Sequence, residues 1–354
     1  MKILFRADAN TTIGLGHVQR SLSLAIALRK QGVESLFLTN PSNSQPKRIS
    51  SLGFSVEILP FQESWSSADA RAVFEIASQR DCAAVVVDSH QASADYLDEV
   101  GRAGIFVAVR DDLALFPFSC QLVINGNADA KGLPYRSSTG DTEFLLGPEY
   151  AVLREEFEYI TPLRGSSNVS NVLVILGGTD GYDLMPRILS HLDTMSGEFR
   201  VTAVLGPFFH NTAAVRSVAA DSVRQISLVE APESVHDLML NADLAVSAAG
   251  QALYELGCTG CPTVAISVAT NQEGQLSAFK DAGALLSAGD AGSGEIIAEL
   301  DKHLRVCLAD EGVRTGLASA GQRLVDGKGA QRVARALVTQ VDQRSKTKTN
   351  SHSN

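Results

Sequence analysis

Residues 2–32 read KILFRADANTTIGLGHVQRSLSLAIALRKQG, and this stretch describes one strand, one glycine-bearing turn and one helix. The strand is predicted over Lys2–Asp8 and the turn over residues 9–16. Apolar residues then recur with helical spacing from Val18 to Leu28, and the pattern stops at Gly32. The segment therefore predicts a strand that leads into a helix through a short turn, the unit from which parallel α/β sheets are built.

His17 stands where this turn becomes the helix. The first helical turn leaves backbone N–H groups unpaired and carries a partial positive charge, which attracts anions and favours a neutral imidazole. A neutral imidazole accepts a proton at neutral pH. Gly14 and Gly16 allow close approach of a ligand such as a sugar or a phosphate. We predict that His17 is catalytic, although a solvent-facing histidine in an ordinary βα turn fits the same pattern.

Short apolar runs in the rest of the chain predict two sheets. The strands are expected at Ser35–Thr39, Ala83–Asp88, Ile105–Arg110 and Leu122–Ile124, and then at Asn171–Leu176, Val201–Leu205, Gln225–Leu228, Leu244–Val246, Thr263–Ile266 and Ala284–Ser287. Runs such as AVVVD and IFVAV are typical of parallel strands that are covered on both faces. We predict an α/β protein of two Rossmann-like, doubly wound domains facing across a cleft, with ligands at the carboxyl ends of the strands.

The length of 354 residues, of which 45% are hydrophobic, suits two domains. We expect an N-terminal domain over residues 1–160 and a C-terminal domain over 171–325, separated by the polar stretch TPLRGSSNVS. A C-terminal helix is predicted over 326–342. The low-complexity sequence RSKTKTNSHSN at the end predicts a disordered tail over 343–354.

The formal net charge of -10 and the lack of a basic stripe outside the tail argue against a nucleic-acid partner. No apolar run reaches the length of a membrane span, and the chain begins with a charged residue and a strand instead of a signal peptide. We expect a cytoplasmic protein with no stable membrane insertion.

Five cysteines, an odd number, favour buried thiols over a disulfide scaffold. Cys258 and Cys261 form a C-x-x-C pair, but neither a second pair nor a histidine stands at zinc spacing. We therefore predict neither a metal site nor a cofactor.

Three turns after strands of the second half carry candidate ligand groups. Gly177, Gly178 and Thr179 follow one strand, and Ala249, Gly250 and Gln251 follow another, where small residues let a diphosphate approach the start of a helix. Glu255 would lie about one turn inside that helix, within reach of a ribose hydroxyl. Asn271 and Gln272 offer amides suited to a sugar or an N-acetyl group. Plain βα turns and a surface charge at Glu255 would give the same patterns.

Polar residues also follow strands of the first half. Asp88 ends one strand and is followed by Ser89 and His90, while Arg110, Asp111 and Asp112 end the next, and Tyr96 lies nearby. We predict that Arg20 and Asp88 contribute to substrate binding. His90 is a second acid/base candidate, and an exposed loop histidine is the alternative.

Seven stretches, in this order and spacing, resemble one known family. They are FRAD-x5-GLGHVQR-x-LSLA (residues 5–25), VVVD (85–88), DDLA (111–114), LLGPEYAVLREEF (145–157), LGGTD (176–180), SAAGQALYELGCTGCPTVAI (247–266) and ATNQ (269–272). The chain is similar, over roughly residues 1–340, to the nucleotide-sugar hydrolases of pseudaminic acid biosynthesis and the spore-coat polysaccharide proteins. That resemblance implies the type B glycosyltransferase fold.

The resemblance also implies a reaction. The hydrolases remove UDP from a UDP-linked 2,4-diacetamido-2,4,6-trideoxy-altrose by inverting attack of water, without a metal. The resemblance assigns the role of the base, or of the group that orients the water, to His17. It assigns the diphosphate to residues 177–180 and 248–251, the ribose to Glu255, and the sugar to Asn271 and Gln272.

The chain departs from this family at two places. Ala249-Gly250-Gln251-Ala252 stands where the hydrolases commonly have two glycines and two hydroxyl residues, and Ser89-His90-Gln91 stands where they often have a tyrosine. An inverting glycosyltransferase that moves an amino sugar onto a small-molecule or lipid-linked acceptor is the alternative function, with His17 acting on the acceptor hydroxyl. A non-catalytic sugar-nucleotide binder is the third reading.

Overall fold

The computed structural model describes residues 1–8, 16–41, 46–60, 64–158, 160 and 168–351. These residues fall into two compact units, of which the first contains residues 1–155 and 328–354 and the second residues 156–327. The boundary places residues 156–160 with the second unit, not the first.

The first unit is a parallel sheet of seven strands with helices between them. Its strands are β1 (Lys2–Ala7), β2 (Glu34–Thr39), β3 (Ser55–Ile58), β4 (Ala84–Asp88), β5 (Phe106–Arg110), β6 (Leu122–Asn125) and β7 (Glu143–Leu146), in the order β3-β2-β1-β4-β5-β6-β7. Its first helices are α1 (Gly16–Arg29), α2 (Pro46–Ser51), α3 (Ser67–Gln79) and α4 (Ala94–Val100). The order reverses between β1 and β4, the switch point at which doubly wound sheets bind ligands.

The second unit repeats this plan with six parallel strands. They are β8 (Asn171–Ile175), β9 (Arg200–Leu205), β10 (Ile226–Glu230), β11 (Leu244–Ala248), β12 (Thr263–Ser267) and β13 (Leu286–Asp290), in the order β10-β9-β8-β11-β12-β13. The helices are α5 (Leu184–Thr194), α6 (Thr212–Asp221), α7 (His236–Leu240), α8 (Gln251–Thr259), α9 (Glu273–Asp281), α10 (Ile296–Ala309) and α11 (Glu311–Leu324).

The last helix, α12 (Gly329–Ser351), returns to the first unit and packs on α1. It extends beyond the 326–342 helix that its apolar pattern predicts and includes most of the segment predicted as a disordered tail. Residues 343–351 contain neither glycine nor proline, the two residues that most strongly end a helix. None of the described helices is long and apolar enough to cross a membrane.

Both faces of the first sheet are buried, as the apolar strands predict. Ile3 and Phe5 of β1 pack with α1 and α12 on one face, whereas Leu4 packs with α3 and α4 on the other. This alternation follows from the two-residue period of a strand. The two-domain α/β fold class is confirmed. Strands β3 and β7 were not predicted; both lie at edges of the sheet and are only partly buried.

Candidate active site

The carboxyl edge of the first sheet gathers charged side chains at the switch point. Asp88 is the last residue of β4 and pairs in register with Arg110, the last residue of β5, and with Ala7 of β1. Helix α1 begins at Gly16, so His17 lies in its first turn. Parallel strands therefore place Asp88 and Arg110 at the same edge as the start of α1. Gly14 lies outside the described residues.

His17 forms a short, buried pair with Asp88. Its Nδ1 lies 2.6 Å from Oδ1 of Asp88, and the two residues are 8% and 1% exposed. Burial raises the pKa of Asp88, but the charges of Arg20 and the contact with His17 outweigh it and hold the pKa far below the usual range. The carboxylate is thus an acceptor only, which makes Nδ1 of His17 the donor. In the neutral ring Nε2 then carries no proton and can accept one.

Arg20 joins this pair to a second carboxylate. Its Nη2 donates to Oδ1 of Asp88 at 2.9 Å, and its Nη1 donates to Oδ2 of Asp112 at 3.0 Å. Nη2 is also 3.0 Å from Nδ1 of His17, but both nitrogens donate to Asp88, so that approach is not a hydrogen bond. Burial lowers the pKa of Arg20, but Asp112 and Asp88 outweigh it and raise the pKa above its ordinary value.

Asp112 also holds the second histidine of the site. Nε2 of His90 lies 2.9 Å from Oδ2 of Asp112, and the ring of His90 meets that of His17 edge to face with centroids 4.7 Å apart. The structure therefore brings His17, Arg20 and Asp88 together, and it adds His90 and Asp112. The sequence predicts His17 at the start of a helix, Arg20 as a substrate-binding residue, and Asp88, His90 and Asp112 at or just after strand ends. The pairing of His90 with Asp112 depends on contacts between separate loops.

Arg110 is a buried cation with few partners. It is 4% exposed, its Nε lies 3.9 Å from Oδ2 of Asp88, and Nε and Nη1 make no hydrogen bond. Burial and the charge of Arg20 lower the pKa of Arg110 to about 10. Its charge helps to keep Asp88 ionised.

Within the described residues, no group of three or more His, Cys, Asp and Glu side chains is placed to hold a metal ion.

In the second unit, the backbone of the turn after β8 packs closely against the backbone that follows β9. Gly177 has a φ of +91°, and the backbone N–H of Phe208 donates to the carbonyl of Gly178 at 3.0 Å. A Cβ added at Gly206 would overlap the backbone of Gly177 and Gly178. Asp180, which ends the turn, uses both carboxylate oxygens to accept from backbone N–H groups at the start of α5, at 2.9 and 2.8 Å. The turn is thus fixed by backbone contacts and by the carboxylate of Asp180.

The start of α8 is the second candidate site in this unit. Gly250 caps the helix in an extended conformation and no side chain caps it. Oε1 of Gln272 accepts from the N–H of Val268 at 3.1 Å, and its Nε2 lies 3.6 Å from where a Cβ on Gly250 would be. The structure therefore places Gln272 beside the turn formed by residues 249–251, whereas Asn271 is exposed on the surface. Glu255 is 8% exposed inside α8.

The five cysteines are buried and free, as predicted. Sγ of Cys258 donates to the carbonyl of Phe157 at 3.3 Å, and Sγ of Cys261 lies 3.7 Å from the carbonyl of Ala242. Burial raises the pKa of Cys258 to about 12, so this thiol stays protonated. The C-x-x-C pair is part of the packing between α8 and its surroundings.

No protein-family model matches the chain. It is 30% identical over 203 residues to the spore coat polysaccharide biosynthesis protein SpsG of Bacillus subtilis, covering 56% of this chain and 59% of that protein. It is 27% identical over 195 residues to the UDP-2,4-diacetamido-2,4,6-trideoxy-beta-L-altropyranose hydrolase of Campylobacter jejuni, covering 54% of this chain and 66% of that protein. The chain therefore spans about three fifths of the length of these relatives.

Among solved structures, MurG of Acinetobacter baumannii is similar over 96% of this chain and 99% of its own, with a TM-score of 0.70 and 16% sequence identity. At that identity the likeness concerns the fold alone. The two parallel sheets and this neighbour together show the type B glycosyltransferase fold. The chain is thus a homologue of the spore-coat polysaccharide protein and of the UDP-sugar hydrolase, built on that fold.

Proposed function

We propose that this protein is a nucleotide-sugar hydrolase that releases UDP from a UDP-linked diacetamido-trideoxy sugar by inverting attack of water. The observation that carries the proposal is the buried His17–Asp88 pair, with Nδ1 and Oδ1 2.6 Å apart at the switch point of the sheet. A relative of this chain bears the name of such a hydrolase. We also propose that the protein acts in the cytoplasm.

In the proposed reaction, Nε2 of His17 takes a proton from water as the water oxygen forms a bond to the anomeric carbon. The bond from that carbon to the diphosphate oxygen breaks, and its electron pair leaves with UDP. Attack from the opposite face inverts the anomeric centre. Asp88 stays ionised and stabilises the imidazolium that forms, while Arg20 donates to the same oxygen of the carboxylate and holds it in place. General-base catalysis of this kind contributes about 10²–10⁴-fold to the rate.

The diphosphate is proposed to bind in the second unit, at the turn 177–179 and at the start of α8 near residues 249–251. Backbone N–H groups at a helix start carry a partial positive charge and suit a diphosphate whose negative charge grows as the bond breaks. Gln272, beside Gly250, and Asn271 are proposed to contact the sugar. Glu255 is proposed to lie near the ribose. These donors would stabilise the leaving group without a divalent ion.

The test is UDP release from a panel of UDP-amino sugars, without acceptor and with EDTA, while the anomeric signal is followed by NMR. We expect stoichiometric release with inversion in the wild-type protein. His17→Ala should lower kcat by at least about 100-fold. It should leave the Kd for UDP, measured by calorimetry, close to that of the wild type. A folded His17→Ala variant with unchanged turnover would refute the assignment of the base.

The same residues would serve a glycosyltransferase, with an acceptor hydroxyl in place of water. The type B glycosyltransferase fold, which the chain shares with MurG, is the observation that favours this second candidate. Tight UDP binding with negligible release, followed by release when a lipid-linked or small sugar acceptor is added, would establish the transferase.

A further inference from the structure

One oxygen of Asp88 accepts hydrogen bonds from two residues of α1. Oδ1 accepts from Nδ1 of His17 at 2.6 Å and from Nη2 of Arg20 at 2.9 Å, and these two nitrogens lie 3.0 Å apart. The charge of Arg20 thus stands beside the ring that is proposed to take a proton. A cation at this distance opposes formation of an imidazolium, whereas the carboxylate of Asp88 favours it.

Asp112 holds the same arginine by its other terminal nitrogen. Oδ2 of Asp112 accepts from Nη1 of Arg20 at 3.0 Å. The side chains of Arg20 and Asp112 are 14% and 13% exposed, so water screens their charges little. Nε of Arg20 is buried and has no hydrogen-bond partner among the described residues. This use of the guanidinium favours a role through Asp88 over direct contact with a substrate.

The charges that face His17 are balanced in sign. They come from α1, β4, β5 and the segments that follow these strands. The two cations and two carboxylates are Arg20, Arg110, Asp88 and Asp112. His90, whose ring contacts that of His17, adds a positive charge when it is protonated. Loss of any one of the four therefore leaves a net charge beside His17.

The other carboxylates at this edge of the sheet have their own partners. Asp8, which follows β1, pairs with Arg6 at 2.7 Å. Asp111 accepts from the hydroxyl of Tyr135 at 2.8 Å and from the backbone N–H groups of residues 113 and 114. Residues 9–15 contain no ionisable side chain. The Arg20–Asp112 pair is thus the part of this charge arrangement that acts on His17 through Asp88.

We propose that Asp112 is a positioning residue that sets the basicity of His17 through Arg20. Asp112 orients the guanidinium and offsets its charge. Arg20 in turn keeps Asp88 from holding a proton on His17 too firmly, so that the resting ring is neutral and Nε2 can take the proton of water. The inference rests on the proposed function for its catalytic consequence, whereas the titration of His17 can be measured without turnover.

Two single variants should shift the titration of His17 in opposite directions. Arg20→Gln leaves an excess of carboxylate, so the pH at which His17 is half protonated should rise by about 1–3 units. Asp112→Asn leaves an excess of cation, so this midpoint should fall. The fall should be about 1 unit or less, because Asp112 acts through Arg20. The double variant restores the balance of charge, and its midpoint should lie close to that of the wild type.

Imidazole ¹⁵N NMR of the ligand-free protein, labelled at its seven histidines, measures this midpoint. The signal that is lost in His17→Ala is that of His17. Asp301→Asn is the matched control, because Asp301 also accepts from a histidine and an arginine, His191 at 2.9 Å and Arg305 at 2.7 Å, in the second unit. It should leave the midpoint of His17 unchanged.

The pH profile of kcat/KM for UDP release is the catalytic readout. His17 acts as a base only when it is neutral, so kcat/KM falls as the pH drops through the midpoint. This acidic limb should move to higher pH in Arg20→Gln, to lower pH in Asp112→Asn, and back in the double variant. A merely structural role would lower the rate in all three variants, most of all in the double variant, without moving the limb in opposite directions.

Midpoints that shift in the same direction in the two single variants, or in neither, would overturn the inference even where the wild type releases UDP. If Arg20→Gln does not fold, the double variant decides, because its midpoint must lie above that of Asp112→Asn. A midpoint that is no higher would overturn the inference. Opposite shifts in a protein that neither binds nor releases UDP would overturn the proposed function and still support the link from Asp112 to His17.

Discussion

Asp88 determines which nitrogen of His17 can accept a proton. In Asp88→Asn the amide can donate to Nδ1, which would put the ring proton on Nε2 and leave the base without a lone pair toward water. We expect kcat to fall by at least about 100-fold with little change in the Kd for UDP. Steady-state kinetics and calorimetry measure the two. Asp301→Asn, which alters the His191 pair in the second unit, should behave as the wild type.

Arg6 is the residue on which a second buried charge cluster depends. Its guanidinium donates to both oxygens of Asp69 at 3.1 and 2.6 Å, lies 2.7 Å from Oδ2 of Asp8 as an ion pair, and stacks 4.3 Å from the ring of Trp65. Arg6 and Asp69 are fully buried. Arg6→Met leaves two buried carboxylates without their cation, so we expect a loss of about 3–5 kcal/mol in the free energy of unfolding.

Urea denaturation at pH 7 tests this expectation. Arg80 offers the control, because it pairs with Glu57 at 2.7 Å but its side chain is 55% exposed. Arg80→Ala should cost about 0–1 kcal/mol, since water screens exposed pairs. Equal losses in the two variants would contradict the role given to the Arg6 cluster.

At the scale of elements, the first strand and the first helix could be predicted closely, because their periodicity is local, while residues 9–15 of the predicted turn lie outside the described residues. Helix α1 begins at Gly16, one residue before the predicted position. Strands β3 and β7 could not be predicted, since SVEI and EFLL are only partly buried and lack a continuous apolar run. The contact between His90 and Asp112 depends on β4 and β5 being neighbours, which the periodicity of neither segment encodes.

Helix α12 supplies part of the core that holds α1 in place. Leu337 is fully buried in the cluster that also contains Leu22 and Leu24 of α1. Leu337→Ala should lower the free energy of unfolding by about 2–5 kcal/mol, because it removes apolar contacts and leaves a cavity. Thermal or urea denaturation measures the loss. Thr339→Ala, on the exposed side of α12, should change stability by less than about 0.5 kcal/mol.

The turn after β8 depends on Gly206 of the neighbouring strand end. A Cβ at Gly206 would overlap the backbone of Gly177 and Gly178, so Gly206→Ala should displace this turn and destabilise the protein by about 1–3 kcal/mol. We also expect weaker UDP binding by calorimetry, because the turn is a proposed diphosphate site. Gly181→Ala is the control, since no atom lies within 4 Å of its added Cβ. Unchanged UDP affinity in a folded Gly206→Ala variant would exclude the turn from the nucleotide site.

At the scale of the whole molecule, the two units differ in how the chain builds them. Residues 156–327 form the second unit from one continuous stretch, whereas the first unit needs residues 1–155 and 328–354 together. We expect a 156–327 fragment to unfold cooperatively by circular dichroism. A 1–155 fragment should not, because it lacks the apolar face of α12. Cooperative unfolding of the 1–155 fragment would show that α12 is dispensable.

Because α12 belongs to the first unit but lies at the end of the chain, the two units are completed in a fixed order during synthesis. Residues 156–327 leave the ribosome before residues 328–341, which bring Val333 and Leu337 to the core beside α1. Domains generally fold as units while the chain emerges. The half of the protein that carries His17 is therefore translated first and completed last, after the half that carries the glycine turns has folded.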